Sequence, residues 1–188
     1  MQAELRRLRS DLRGAAMAAA LNKTADKARA EISRAIRQEF AVAPERVRNS
    51  IRVSGAAATS EARLQAVLTL FGSSSKRGRS LNLIHFLESK VTLAEHARRI
   101  KALTQKDLRF RIKRGGPLVT VPGAFLLPNG RTVMHRTGPG RLPIAPLQVI
   151  DIQQMFNTKR ISARVLAKIN ADLPVEVQRA VKWMLSKK

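Results

Sequence analysis

The sequence predicts an α+β fold with N-terminal helices, a mostly antiparallel sheet that carries an extended hairpin, and a C-terminal helix. The first observation is helical spacing, since apolar residues recur every three or four positions from residue 17 to 40 and again from residue 161. The second is the alternation of apolar and polar residues at 64–70 and 108–113, which is typical of strands. The third is Asn129-Gly130 between two short apolar runs, which favours a tight hairpin turn.

The N-terminal region, residues 1–51, is predicted to be helical. One apolar stripe defines a helix over residues 17–40, namely Met17, Leu21, Ala25, Ala28, Ile32, Ile36 and Phe40. A shorter helix is predicted at residues 2–13, and Gly14 either separates the two or weakens one continuous helix by about 1 kcal/mol relative to alanine. Pro44 then opens a short helical turn, because proline fits the first position of a helix, where no N–H is needed.

The middle region, residues 61–150, is predicted to be rich in strands. Residues 55–60 form a loop, 61–71 a half-buried strand, 72–80 a basic loop and 81–86 a second strand. Residues 92–103 return to helical spacing, with Thr92 as the cap. Residues 107–113 form a strand with an apolar face (Leu108, Phe110, Ile112) and a basic face (Arg109, Arg111, Lys113).

The hairpin pairs residues 124–127 with 132–134, and Gly138-Pro139-Gly140 ends its second strand. Residues 141–144 leave in an extended form, because Pro143 restricts Leu142. Residues 145–156 fit either a strand or a helix. Residues 158–188 are predicted to be helical, with one stripe before and one after Pro174, which is expected to kink or restart the helix.

Length and composition indicate one domain over residues 1–188, since no evident linker divides the chain. The absence of cysteine excludes a disulfide framework and cysteine-based zinc or redox sites, and agrees with a reducing cytosol. The start of the chain lacks the apolar core of a signal peptide. No run approaches the roughly 18 apolar residues of a membrane span, so we expect no membrane partner.

The net charge is the strongest compositional signal, because 36 Lys and Arg against 13 Asp and Glu give +23. Such a chain repels itself, which favours a polyanion, usually nucleic acid, or an acidic protein partner. A solvated basic surface is the alternative interpretation. The candidate nucleic-acid contacts are Arg109, Arg111, Lys113 and Arg114, together with Lys76, Arg77 and Arg79 and with Arg98 and Arg99. Few aromatics are present to stack bases, so we expect binding that does not depend on base sequence.

Catalysis is not indicated by any motif. The three histidines, His85, His96 and His135, lack metal-ligand spacing, and neither a nucleophile elbow nor a phosphate-binding glycine loop occurs. We therefore expect no enzyme activity, no metal and no cofactor.

A resemblance to a known family rests on an ordered set of short motifs. They are Ala20-Leu21-Asn22 in the alanine-rich helix, Pro122-Gly123-Ala124-Phe125, Asn129-Gly130, Arg141-Leu142-Pro143-Ile144 and Leu173-Pro174. In this order and over nearly the full length, the chain resembles the minor tail protein Z family of long-tailed phages. The segment 92–103 looks longer than the family needs.

The resemblance implies a structural protein of tail completion or of the neck, at the head-proximal end of the tail. It further implies a homo-oligomeric ring of sixfold symmetry that contacts the tail terminator and tail tube proteins. The lumen would hold double-stranded genome DNA or the end of the tape-measure protein. The location implied is the virion, with assembly in the host cytoplasm.

A hairpin without reactive groups is expected to serve subunit contact in such a ring, by strand addition or by wedging apolar side chains into a groove. The candidate interface residues are Pro122, Phe125, Leu126, Leu127, Arg141, Leu142, Pro143 and Ile144. Two rival functions are alternatives to this one. They are a freestanding, sequence-independent nucleic-acid-binding protein, and a nuclease, which the lack of a carboxylate or histidine cluster disfavours.

Overall fold

A computed structural model describes residues 10–57, 64–72, 81–88, 108–127 and 132–186. Its helices are α1 (Ser10–Glu39), α2 (Pro44–Asn49), α3 (Ile152–Phe156) and α4 (Lys159–Ser186), with one 3-10 helix at Leu83–Phe86. Its strands are β1 (Ile51–Ser54), β2 (Val67–Leu70), β3 (Arg109–Phe110), β4 (Val119–Thr120), β5 (Phe125–Leu126), β6 (Val133–Arg136) and β7 (Ile144–Pro146). The predicted α+β class is confirmed, with a helix at each end and small antiparallel sheets between them.

Helix α1 is one continuous helix of 30 residues, which decides between the two interpretations of Gly14. The helix passes through Gly14 without a break, while residues 2–9 of the predicted shorter helix lie outside the described ranges. Its buried face recurs every four residues at Ala16, Ala20, Thr24, Ala28, Ile32 and Ile36, and Phe40 extends the row past the helix end. The predicted stripe is confirmed, although Met17 and Leu21 are only half-buried.

Helix α4 lies antiparallel to α1. Ala16 and Ala20 of α1 meet Val177 and Val181 of α4 in one apolar cluster, whereas at the other end Glu39 lies 3.9 Å from Arg160. The apolar row of α4 also recurs every four residues, at Ile161, Val165, Ile169, Leu173, Val177 and Val181. Rows with this spacing form ridges that fit the grooves of a neighbouring helix. The alanines of α1 leave room for the larger side chains of α4.

Pro174 does not restart the C-terminal helix, because α4 continues through it. A proline inside a helix leaves the carbonyl four residues earlier without its usual donor. Here that residue is Asn170, and both Asn170 and Pro174 are exposed. Water can therefore hydrate the free carbonyl.

Two buried carboxylates tie the long helices together. Glu176 accepts hydrogen bonds from Lys27 Nζ at 2.6 Å and from Arg179 Nη1 at 2.8 Å. Glu31 accepts from Arg164 Nε at 2.8 Å and also pairs with Arg34. Each carboxylate is only 4% exposed. A charge that far from water is tolerated only when it is paired, so these bonds fix the register of α1 against α4.

Every strand pair within the described ranges is antiparallel. Strands β1 and β2 form one two-stranded sheet, β3 and β4 a second, and β5, β6 and β7 a three-stranded sheet. The predicted hairpin is confirmed, since Phe125 lies opposite Met134 and Leu126 opposite Val133. Its turn, residues 128–131, lies outside the described ranges. Strand β7 adds to β6, with Ala145 opposite His135.

The prediction of a strand at residues 81–86 is wrong, because this segment contains the 3-10 helix. Asn82 explains the difference. Its side chain accepts from Ile84 N at 3.0 Å, which favours a local turn over an extended chain. The same side chain accepts from Val133 N at 2.8 Å and donates to Val133 O at 3.0 Å. It thereby satisfies the N–H of Val133 in β6 and shares the Val133 carbonyl with Leu147 N, which donates at 3.0 Å.

Other strand predictions are confirmed in part. Among the described residues of these segments, 64–71 and 108–113, the strands are Val67–Leu70 and Arg109–Phe110. The ambiguous segment 145–156 contains both alternatives, since β7 ends at Pro146 and α3 begins at Ile152. A capping box starts α3, where Gln154 N donates to Asp151 Oδ1 at 2.7 Å and Asp151 N donates to Gln154 Oε1 at 3.0 Å. The predicted helix at 92–103 and most of the loop at 72–80 lie outside the described residues.

The main core lies where the C-terminal half of α1 meets the sheets, α3 and the first half of α4. Ile36, Phe110, Val133 and Met155 are fully buried there. Among the helices described, none combines the length and the apolar character that crossing a bilayer requires.

The buried carboxylates predict an acid-sensitive helix pair. A hydrogen bond from Lys27 holds the pKa of Glu176 below its ordinary 4.5, and one from Lys168 holds the pKa of Asp172 below 3.8. Since the native pKa values are depressed, their stabilisation is complete above the unfolded-state values and is lost as the pH falls through the native ones. We expect the free energy of unfolding, measured by urea denaturation, to begin falling near pH 4.5 and to continue below 3.8.

The variant Glu176→Gln should be less stable at pH 7 and should show a shallower acid decline. Glu45→Gln is the matched control, because Glu45 is exposed on α2. Parallel pH profiles for Glu176→Gln and the wild type would contradict the assignment.

Candidate functional site

The basic segment, residues 109–114, is held in place by backbone hydrogen bonds on both sides. Arg111 N donates to Phe86 O at 2.8 Å, and Glu88 N donates to Arg109 O at 3.1 Å. At the other end, Arg114 N donates at 3.0 Å to the carbonyl oxygen of Glu39, which is the last residue of α1. Phe110 is fully buried between these contacts. The backbone that carries the cations is therefore anchored to the core.

The cations of the basic segment are not equivalent. Arg109, Lys113 and Arg114 are exposed, and within the described ranges none of them has a carboxylate partner. Arg111 instead donates to Glu88 Oε1 at 3.1 Å and to Gly116 O at 3.4 Å. The alternation of residues predicted the exposed faces of Arg109 and Lys113, but it could not reveal that Arg111 is engaged by an acid 23 residues away.

Arg114 lines an open pocket of about 320 Å³ together with Arg34, Arg37 and Gln38. We call this the arginine pocket. It lies where the last turns of α1 meet the end of the basic segment. In the sequence, Arg34 and Arg37 lie off the apolar stripe of α1 and are not among the candidate contacts. Their spacing of three places them on one helix face, but their proximity to Arg114 depends on the tertiary fold.

The remaining candidate nucleic-acid contacts lie outside the described residues. They are Lys76, Arg77, Arg79, Arg98 and Arg99. Whether they join the basic segment in one surface stays a prediction.

The hairpin contributes more to the protein's own core than the sequence suggested. Leu126 and Val133 are 3% and 0% exposed and belong to the main core. Leu126 is therefore not available on the surface, which corrects its selection as a contact residue. Phe125 and Leu127 are half-buried. The guanidinium of Arg136 lies 5.7 Å from the centre of the Phe125 ring, within the range of a cation–π contact.

The surface of this sheet lies instead at its loops. Pro122, Arg141, Leu142 and Pro143 are exposed, and Ile144 is half-buried as β7 begins. Leu142 is 71% exposed, the highest value among the large apolar side chains of the described residues. The loop that presents it is closed by Thr137, whose N and Oγ1 both donate to Pro143 O at 3.1 Å. The Leu142–Pro143 peptide bond is cis.

The described residues offer no cluster of His, Asp and Glu that could hold a metal ion. Burial, together with the positive charge of Arg46, lowers the pKa of His85 to about 4, so this imidazole is neutral at physiological pH. The geometry thus presents contact surfaces, basic at the arginine pocket and apolar at Leu142.

Residues 3–187 match the model of a protein family described as prophage minor tail protein Z (GPZ). The chain belongs to this family. No curated protein and no solved structure matches it.

Membership of the minor tail protein Z family makes the chain a structural protein of a phage tail and a component of the virion. The family is not an enzyme family. The resemblance found in the sequence motifs is confirmed, and a tail protein implies contact with other tail components.

The burial of the hairpin predicts unequal effects of two leucine substitutions. Leu126→Ala should cost about 2–5 kcal/mol of stability, because it leaves a cavity in the core. Leu142→Ala should change stability by no more than about 0.5 kcal/mol, because the side chain lies in water. Urea denaturation of both variants tests this, and similar losses at the two positions would contradict the description of the hairpin.

Proposed function

We propose that the protein forms a sixfold ring at the head-proximal end of the tail, where it helps to join head and tail and contacts genome DNA without sequence preference. Its neighbours are the tail terminator and tail tube proteins, and assembly takes place in the host cytoplasm. The observation that carries the proposal is the set of exposed cations on an anchored backbone, in a tail protein of net charge +23.

Contact with DNA is supported by the chemistry of the basic segment. Exposed Lys and Arg side chains neutralise phosphates and release counterions, which gives affinity without reading bases. The three exposed cations Arg109, Lys113 and Arg114 lack competing carboxylates in the described part of the chain. A basic lining favours DNA over the end of the tape-measure protein as the occupant of the lumen, unless that end is acidic.

Ring formation is supported by two apolar surfaces of different shape. One is the loop that exposes Leu142. The other is the outer face of α4, where eight exposed residues carry no charge: Ala163, Leu166, Ala167, Asn170, Ala171, Pro174, Val175 and Gln178. Leu166 and Val175 are 58% and 47% exposed. A ring needs two different faces that complement each other, and a face of α4 without charge can receive the Leu142 loop, which also carries the exposed Arg141, without charge repulsion. We therefore assign the Leu142 loop of one copy to the outer face of α4 of the next.

Binding to duplex DNA tests the first part of the proposal. The logarithm of affinity should fall linearly with the logarithm of salt concentration, by about 0.9 for each phosphate contacted. Arg109→Gln with Lys113→Gln should reduce this slope by about 1.8, equally for unrelated sequences. The matched control is Arg48→Gln with Arg52→Gln, which removes the same charge from exposed positions on α2 and β1.

If the two double variants have the same salt slope, the basic segment does not face DNA. Tight binding of DNA by a monomer that never assembles would favour the freestanding nucleic-acid-binding protein instead.

Mixing of variants tests the ring contact. Leu142→Glu and Leu166→Glu should each remain monomeric in light scattering, because each places a charge in one half of the contact. Mixed together, they should form dimers, since each retains the surface that the other lacks. Ala30→Glu is the control, because it adds the same charge at an exposed position of α1.

Normal assembly of either leucine variant would contradict the pairing of these two surfaces. Failure of the mixture to dimerise would also contradict it, and would indicate that each surface meets a different tail protein.

A further inference from the structure

The arginine pocket presents hydrogen-bond donors almost exclusively. A guanidinium group carries five N–H donors and no acceptor. Gln38 Oε1 already accepts from Arg164 Nη1, so the part of Gln38 that remains is its amide N–H₂, again a donor. The Nε atom of Arg37 is buried without any hydrogen-bond partner. A buried donor of this kind is rare in native proteins and calls for an acceptor.

The nearby acids do not neutralise the pocket. Glu31 is shared between Arg34 and Arg164, so one carboxylate serves two guanidinium groups. Glu39 lies 3.9 Å from Arg160, and its backbone carbonyl accepts from Arg114 N. Arg37 and Arg114 have no carboxylate partner in the part of the chain that the structure describes. The pocket therefore retains a positive charge.

The arginines are positioned by rigid elements. Arg34 and Arg37 lie three residues apart on α1, and the bond between Arg34 and the buried Glu31 limits its movement. The backbone of Arg114 is fixed by its hydrogen bond to the end of α1. The guanidinium fork is itself planar and rigid, so little conformational entropy is lost for each hydrogen bond to an oxyanion.

We propose that the arginine pocket binds a phosphate group, and that its source is the backbone of DNA. Arginine favours phosphate because its planar fork can donate two parallel hydrogen bonds to the oxygens. The pocket is open to solvent, and Arg114, which lines it, is also the last residue of the basic segment. One phosphate of a nucleic-acid strand can therefore enter the pocket while the rest of the strand runs along Lys113 and Arg109. The choice of DNA rests on the proposed function, whereas the phosphate chemistry rests on the pocket alone.

The test compares two probes, inorganic phosphate by calorimetry and a 30-bp duplex by salt-dependent binding. Arg37→Gln with Arg114→Gln should bind phosphate at least about tenfold more weakly than the wild type, the loss expected from one charge-assisted hydrogen bond. It should also lower the DNA salt slope by about 0.9, as one phosphate contact is lost. Arg48→Gln with Arg52→Gln is again the control of equal charge.

The single variant Arg114→Gln is a control for a folding defect in the double variant, because Arg114 lies in an exposed turn. It should keep the wild-type melting temperature and still weaken phosphate binding.

The outcomes distinguish DNA from free phosphate as the source of the bound phosphate group. Weaker phosphate binding with an unchanged DNA slope would assign the pocket to free phosphate and overturn the choice of DNA. Behaviour equal to the control with both probes would overturn the pocket itself. If the wild type binds phosphate but not DNA, the proposed DNA contact fails while the phosphate site stands.

Discussion

The antiparallel packing of α1 against α4 is the contact on which the rest of the structure depends. Apolar residues recur every four positions on both helices, and alanines on α1 face valines on α4. The buried Glu31 and Glu176 fix the register, because each would lose its partner on the other helix, Arg164 or Lys27, if the helices slid by one turn. This register places the end of α1 beside the basic segment and leaves one face of α4 outside.

The distribution of charge follows from the same packing. Glu31, Asp151, Asp172 and Glu176 are all buried, where they bond to lysine, arginine or the start of α3. These acids hold the fold together and contribute little to the outer surface. The cations of the basic segment and the arginine pocket are therefore left largely uncompensated, in a protein that already carries +23. A positive surface of this kind is suited to a polyanion such as DNA.

The hairpin joins core and surface in one element. Leu126 and Val133 fill the main core, so the hairpin cannot leave the domain to pair with a neighbour without exposing them. What it offers a partner is its loops, above all Leu142. In the ring that we propose, this favours contact between copies by a protruding side chain over strand addition.

The sequence by itself determined the fold class, both long helices, the hairpin and the family, because these depend on local spacing and on ordered motifs. The tertiary structure decided those features that depend on contacts between residues far apart in the sequence. Residues 81–86 are apolar enough for a strand, but the Asn82 side chain caps a 3-10 helix there, and bonds to Val133, 51 residues away, hold that side chain in place. Arg111 alternates like Arg109, yet Glu88 engages it. Arg34 and Arg37 meet Arg114 only because the chain between them folds back. Contacts between distant residues set these outcomes, and no window of neighbouring residues contains both partners.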